Sequence, residues 1–149
     1  MRAQTLLCRV GTRLCAVPLE HVVETLRPLP VEPLAGAPDF VLGVTLLRGE
    51  PAPVVDAARL LGASTGQPAR FVALRVGERI VALAVDGVED VRTLDEGTIR
   101  ALPPLLRDAR SDAVEALGRL DADLLLVLRS AALVPDAVWA QLATARSTP

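Results

Sequence analysis

Two stretches of this sequence are copies of one pattern, and the copying constrains every local reading. Residues 6–19 run LLCRVGTRLCAVPL and residues 71–85 run FVALRVGERIVALAV. At an offset of 66 residues, Arg9-Val10-Gly11 falls on Arg75-Val76-Gly77, Arg13 on Arg79, Ala16 on Ala82 and Val22 on Val88. Glu20 and Glu24 fall on Asp86 and Asp90. Each copy is an apolar run broken by a glycine-led pair, Gly11-Thr12 or Gly77-Glu78. That reads as a β-hairpin with a type II′ turn, because glycine accepts the positive φ required at the first central position. A repeat outranks single-segment propensities and is read first.

A second unit follows the first in each half. Residues 42–62 read LGVTLLRGEPAPVVDAARLLG. The apolar runs Leu42–Leu47 and Pro53–Val55 flank the polar corner Arg48-Gly49-Glu50, which predicts another hairpin. Asp56 is placed to cap a short helix through its carboxylate, and Gly62 is a natural stop. At an offset of 73 residues, Gly43–Val55 falls on Ala116–Leu128, Arg48 on Asp121, and Leu60-Leu61 on Leu133-Val134. The repeat overrules one local preference: Asp112–Leu117 (DAVEAL) has helical propensity, but its place in the repeat predicts a strand over Val114–Leu120. The chain therefore reads as two related halves, about 1–67 and 68–149, in a single domain, with strand or helix exchange between the halves left open.

The connecting segments are rich in proline and small residues. Residues 27–39 hold Pro28, Pro30, Pro33 and Pro38 and read as an extended linker, since proline cannot serve an inner ladder. Residues 63–68 (ASTGQP) join the halves, and residues 94–110 read as a longer irregular stretch. Pro135-Asp136 opens a terminal helix to about Ala145, with Val138, Trp139 and Leu142 on one face. Trp139 is expected to anchor that helix, and residues 147–149 to fray.

Composition narrows the function. Of 149 residues 51% are hydrophobic, but aromatics are only 2%, so the core must be Val, Leu and Ala. Net charge is −2, and the 16 basic residues are all Arg, spread along the chain. With no basic run and few rings to stack on bases, nucleic-acid binding is not expected. No apolar run reaches the 18 or so residues of a membrane span. Arg2 and Arg9 bracket too short an apolar patch for a secretory leader. A cytoplasmic protein without direct membrane insertion is expected.

Chemistry is sparse. Two cysteines and one histidine are too few for a Cys/His zinc site, so no metal and no cofactor is expected. The first hairpin's register puts Cys8 opposite Cys15, as two reduced apolar thiols or, less in keeping with a reducing compartment, a disulfide. His21 has no nucleophile signalled beside it, Cys15 being six positions away. Asp56 and Asp86 each follow a strand, where a carboxylate caps a helix or turn or else serves catalysis, and capping is the simpler role. The glycines form no phosphate-binding fingerprint. No catalytic residue is expected. Arg48, a cation at the tip of an apolar hairpin, is either a solvated turn residue or a contact on a partner-binding surface.

Taken in order, these pieces resemble the CheW family of chemotaxis coupling proteins over residues 6–134. The resemblance rests on Val10-Gly11, Ala16-Val17-Pro18-Leu19 with Val22 and Glu24, Leu34-Ala35-Gly36-Ala37-Pro38, Phe40-Val41-Leu42-Gly43-Val44, Leu47-Arg48-Gly49, Pro53-Val54-Val55-Asp56 and Leu60-Leu61-Gly62. Val85-Asp86-Gly87-Val88 and Gly118-Arg119-Leu120 supply the second half. It implies a mainly β fold: two SH3-like five-stranded β-barrel subdomains around a shared hydrophobic core, short helices after each second hairpin, and a C-terminal helix. It implies a non-catalytic scaffold that couples chemoreceptor cytoplasmic helices to the regulatory domain of a CheA-type histidine kinase. Carried over by position, it makes Arg48, Val22, Glu24, Val85 and Val88 partner-contact candidates, the valines as exposed apolar area.

Three positions depart from the family pattern. Leu46 stands where a polar Asn usually precedes Leu-Arg-Gly, Pro51 removes a ladder donor from the returning strand, and Arg129 ends the second hairpin where the first has Asp56. These departures leave open a divergent coupler in another pathway, such as pilus motility or gene control. A barrel binding a small molecule between its halves is the alternative from another class; it would need convergent polar groups in a cavity.

Overall fold

The computed structural model describes residues 3–62, 68–94, 99–101, 113–120 and 123–146. The first half supplies β1 (Ala3–Val10), β2 (Arg13–Pro18), β3 (Val22–Leu26), β4 (Val41–Leu47), β5 (Glu50–Asp56) and the short helix α1 (Ala57–Leu60). The second supplies β6 (Arg70–Val76), β7 (Arg79–Val85), β8 (Gly87–Leu94), β9 (Ile99–Ala101), β10 (Val114–Leu120), β11 (Asp123–Leu128) and the helix α2 (Asp136–Arg146). β10 spans the residues the repeat assigned to a strand, against their helical propensity. β9 is a correction, because it forms inside the stretch read as irregular. Residues 63–67, Asp121 and residues 147–149 lie outside the described residues.

The strands form two sheets, ordered β8-β1-β2-β11-β10-β9 and β3-β6-β7-β5-β4. Each sheet mixes the halves: the first hairpin of one half joins the later strands of the other. The seams are parallel pairs, β2 with β11 and β5 with β7. The ladders repeat as the sequence does. Val22 faces Leu74 and Glu24 faces Ala73, just as Val88 faces Cys8 and Asp90 faces Leu7, with a register shift at the same step in both. Val41–Val55 and Gly43–Val54 likewise match Val114–Leu128 and Ala116–Val127, again across a shift.

Three apolar clusters explain why the strands read as unbroken apolar runs. On β7, Ile80, Ala82 and Ala84 face a small core inside their own sheet, with Phe71, Ala73, Ala52 and Val54. Val81, Leu83 and Val85 face the other way, into a large core shared with Cys8, Val17, Leu126 and Leu128 of the second sheet. That second sheet encloses its own small core of Leu7, Leu14, Ala16, Leu125 and Val127. A strand buried on both faces loses the polar alternation of a half-buried one. The narrow interior of a small barrel takes alanines, which leave room for larger neighbours.

The prolines of β5 cost no ladder bond, which corrects the expectation for Pro51. Leu47 pairs with Glu50 across the two-residue turn, so the hydrogen-bonded pairs fall at Leu47–Glu50 and Thr45–Ala52. Pro51 and Pro53 pair with Leu46 and Val44 at the alternate positions, whose N–H positions point away from β4. On that side β7 joins β5 only from Val54. The outward backbone of Val44 is satisfied instead by the linker: Val44 N–H donates to the Glu32 carbonyl (2.8 Å), and Glu32 N–H to that of Val44 (2.9 Å). Thr45 Oγ1 also donates to the Pro30 carbonyl (2.7 Å). The proline-rich linker thus covers the edge of β4.

The capping residues differ between halves. Asp56 accepts from the backbone N–H of Ala58 (3.0 Å) and Arg59 (3.4 Å), and α1 forms. Arg129, at the matching place, offers no acceptor, and Ser130–Ala132 make only one 3-10 turn.

Candidate partner-binding surface

Arg48 and Gly49 form the β4–β5 turn, with φ of +50° and +81°. Positive φ at both central residues is the type I′ arrangement, whose twist suits a two-residue hairpin. Asn or Gly fits it without strain, whereas a long side chain in the left-handed region costs about 1–2 kcal/mol. Among the described residues, Arg48 is the one non-glycine with positive φ.

The Arg48 side chain reaches back to β3, where its Nε donates to Glu24 Oε2 at 2.5 Å. β3 and β4 are the two edges of the five-stranded sheet. The ion pair therefore spans the sheet's open ends and marks how far the sheet has curled. No equivalent pair is found among the described residues of the second half. Asp90, the counterpart of Glu24, accepts from Arg92 Nε on its own strand (3.1 Å), and that bond holds its carboxyl below the ordinary Asp range.

Arg48 is 62% exposed. An exposed pair of this kind returns about 0–1 kcal/mol, no more than the turn strain it accompanies. Stability alone does not account for an arginine here. Among the described residues its Nη groups have no hydrogen-bond partner. Two residues before it, Leu46 is 67% exposed, the most open large apolar side chain among the described residues. Leu46 sits opposite Pro51, so an apolar step adjoins the cation.

The valine candidates divide. Val85 is 2% exposed and packs in the shared core, so it offers no open surface; β7 is interior to its sheet and both of its faces are covered. Val22 is half-buried against the same core. Val88 is exposed on β8, an outer strand. Sequence reading missed Val91, also exposed. Val88 pairs with Cys8 and Val91 with Leu6. Cys8 and Leu6 share one face of β1, so the bulge between them aligns both valines on that face. Simple alternation would have put them on opposite faces.

The remaining candidates act structurally. Asp86 Oδ2 accepts from the Gly11 N–H at 2.6 Å, and the Asp86 N–H donates to the Arg9 carbonyl at 2.9 Å, which fixes the first hairpin turn. Cys8 and Cys15 are register partners, free and fully buried. The hydrogen bond between the thiols, followed by burial, pushes the Cys15 thiol well above its ordinary pKa. Trp139 packs on the shared core, with the Arg79 guanidinium 4.7 Å over its ring.

His21 does meet a hydroxyl, which the sequence did not signal. Its Nδ1 lies 3.1 Å from Ser130 Oγ, a partner 109 residues away. The third member of a relay is missing: Glu20, 3.9 Å from Nε2, is beyond hydrogen-bond reach. The contact pins the turn before β3 to the turn after β11. No group of three His, Cys, Asp or Glu side chains among the described residues could hold a metal, and no described helix is long and apolar enough to cross a membrane.

Residues 4–138 match the family model described as the CheW-like domain. The chain is 34% identical over 103 residues to a chemotaxis protein CheW of Rhizobium meliloti, covering 67% of this chain and 66% of that protein, just under two thirds of the relative's length. It is 35% identical over 125 residues to Protein FrzA of Myxococcus xanthus, covering 79% and 78%. Its fold resembles the crystal structure of the scaffolding protein TtCheW from Thermoanaerobacter tengcongensis, with a TM-score of 0.72 at 22% identity over 87% of this chain and 90% of that one.

Proposed function

The chain belongs to the CheW-like domain family, and on that premise we propose that it is a non-catalytic coupling scaffold, joining chemoreceptor cytoplasmic helices to the regulatory domain of a CheA-type histidine kinase. The observation that carries this reading is Arg48: an exposed arginine kept in a strained turn whose ion pair with Glu24 returns no more than the strain costs. A residue held against its own conformational preference, with donors left over, suits a charge-assisted contact to a partner carboxylate. Val88 and Val91 along the β8 edge supply apolar area of the kind that forms an interface core. The work would be done in the cytoplasm, at receptor arrays.

A second reading, the same scaffold serving another pathway such as pilus motility or gene control, draws on Leu46. Its exposed apolar side chain asks for an apolar counterpart beside Arg48 rather than a hydrogen-bonding one.

The test is capture of the CheA-type kinase and of receptor cytoplasmic fragments from the same organism, by the wild-type chain and by Arg48→Glu. Capture of both, weakened by the substitution, supports coupling. Capture of the kinase alone points to the second reading, and capture of neither removes the coupling proposal.

A further inference from the structure

A cavity of about 430 Å3 lies where the β6–β7 turn, the 3-10 turn at Ser130–Ala132 and α2 meet. Val76, Val81 and Trp139 give it an apolar wall, Ser130 lies at its edge, and Glu78 and Arg79 bring two opposite charges to it. The first half differs at the rim. Val10 is fully buried where its counterpart Val76 is half-buried, while Cys15 and Ala57 are buried as Val81 and Ser130 are. Arg13, the counterpart of Arg79, is occupied: its Nη1 donates to the Leu61 carbonyl at the end of α1 (2.7 Å).

Arg79 has no such acceptor among the described residues. Its guanidinium carbon lies 4.7 Å from the centre of the Trp139 ring, a cation–π contact that uses the face of the ring and none of the guanidinium's own N–H donors. The Glu78 carboxylate likewise has no partner among the described residues; only its backbone carbonyl is used, accepting from Arg75 Nη1 at 3.5 Å. Most described arginines are engaged with a carboxylate or carbonyl, as at Arg9, Arg48, Arg75 and Arg92. Here adjacent residues of opposite sign stand uncommitted beside an apolar cavity.

We propose that this cavity binds a free apolar α-amino acid: carboxylate on Arg79, ammonium on Glu78, and side chain against Val76, Val81 and Trp139. A zwitterion satisfies both charges, whereas a simple organic acid would meet Glu78 with like charge. The volume falls within the range of small-molecule sites.

Trp139 is the sole tryptophan and the chain has no tyrosine, so its emission reports on the cavity directly. The experiment titrates the full chain with L-leucine, following Trp139 fluorescence and heat by calorimetry. Glycine, L-leucinamide and 4-methylpentanoate serve as controls lacking the side chain, the carboxylate and the ammonium. A saturable response to L-leucine is expected, with at least about tenfold weaker binding of each control, the scale of one charge-assisted hydrogen bond. Arg79→Gln and Glu78→Gln alter exposed residues and leave the far-UV circular dichroism intact. Arg79→Gln should bring L-leucine down to the amide's level, and Glu78→Gln to that of 4-methylpentanoate. No saturable response to L-leucine overturns the proposal. So does equal binding of the amide, equal binding of 4-methylpentanoate, or wild-type affinity in both variants. The titration needs no protein partner, so its failure leaves the coupling reading untouched.

Discussion

Ala16 stands opposite Val127 in the parallel seam of one sheet, and Ala82 stands opposite Val54 in the seam of the other. The first hairpins repeat at 66 residues and the second hairpins at 73, and the two offsets converge in this one register. Both alanines are fully buried, each inside its own small barrel core. Ala16→Leu and Ala82→Leu should each destabilise by about 1–3 kcal/mol through overpacking, and by similar amounts. Denaturant melts of the two variants check this, and a large inequality would show that the barrels are not packed alike.

Arg48→Glu puts two carboxylates where an ion pair stood. The site is exposed, so stability should fall by no more than about 1 kcal/mol, while partner capture weakens. Arg48→Gly should raise the melting temperature slightly, because glycine accepts the left-handed turn freely. If Arg48→Glu unfolds the chain, the residue is structural and the surface reading fails.

Gly43 cannot carry a side chain. A Cβ built there would lie 2.0 Å from the Glu32 carbonyl oxygen, a backbone atom. Gly43→Ala should push the linker off β4 and break both Glu32–Val44 hydrogen bonds. Faster amide exchange at Glu32 and Val44, with little change at Ala82, is the expected reading.

Asp56→Ala removes the α1 cap and should cost about 1 kcal/mol. Asp56→Asn should recover most of that, because an amide oxygen still accepts. A chain that tolerates alanine as well as asparagine would deny the cap its role.

Cys15 sets a limit on the alkaline side. Its folded pKa is raised, so the native state keeps the proton while the unfolded thiol loses it at about pH 8.5. Below that value its contribution to stability is complete. As pH rises further, the unfolded state is favoured by up to about 1.4 kcal/mol per unit. The melting temperature should fall through this window, and less steeply in Cys15→Ala.

Much of the fold was legible because the repeat carries register as well as pattern. The Cys8–Cys15 pairing follows from turn length alone, and β10 follows from its match to β4 against local propensity. What was not legible depends on choices that sequence spacing does not encode. Nothing in either hairpin says that it completes the other half's sheet. Val85 and Val88 look alike in sequence, but one lies on an interior strand and the other on an edge. His21 meets Ser130, and Arg48 meets Glu24, only because two sheets curl and close.

The exchange of first hairpins gives the molecule a reciprocal dependence. Cut between Gly62 and Pro68, neither fragment would own a complete sheet, since β1 and β2 need β8 and β11, and β6 and β7 need β3 and β5. The two pieces would have to find each other before either could fold, as a dimer does. The connection from Gly62 to Pro68 replaces that bimolecular encounter with an intramolecular one at high effective concentration. Physically, the single chain behaves as a fused pair of half-proteins, and it can be expected to work again as a mixture of two.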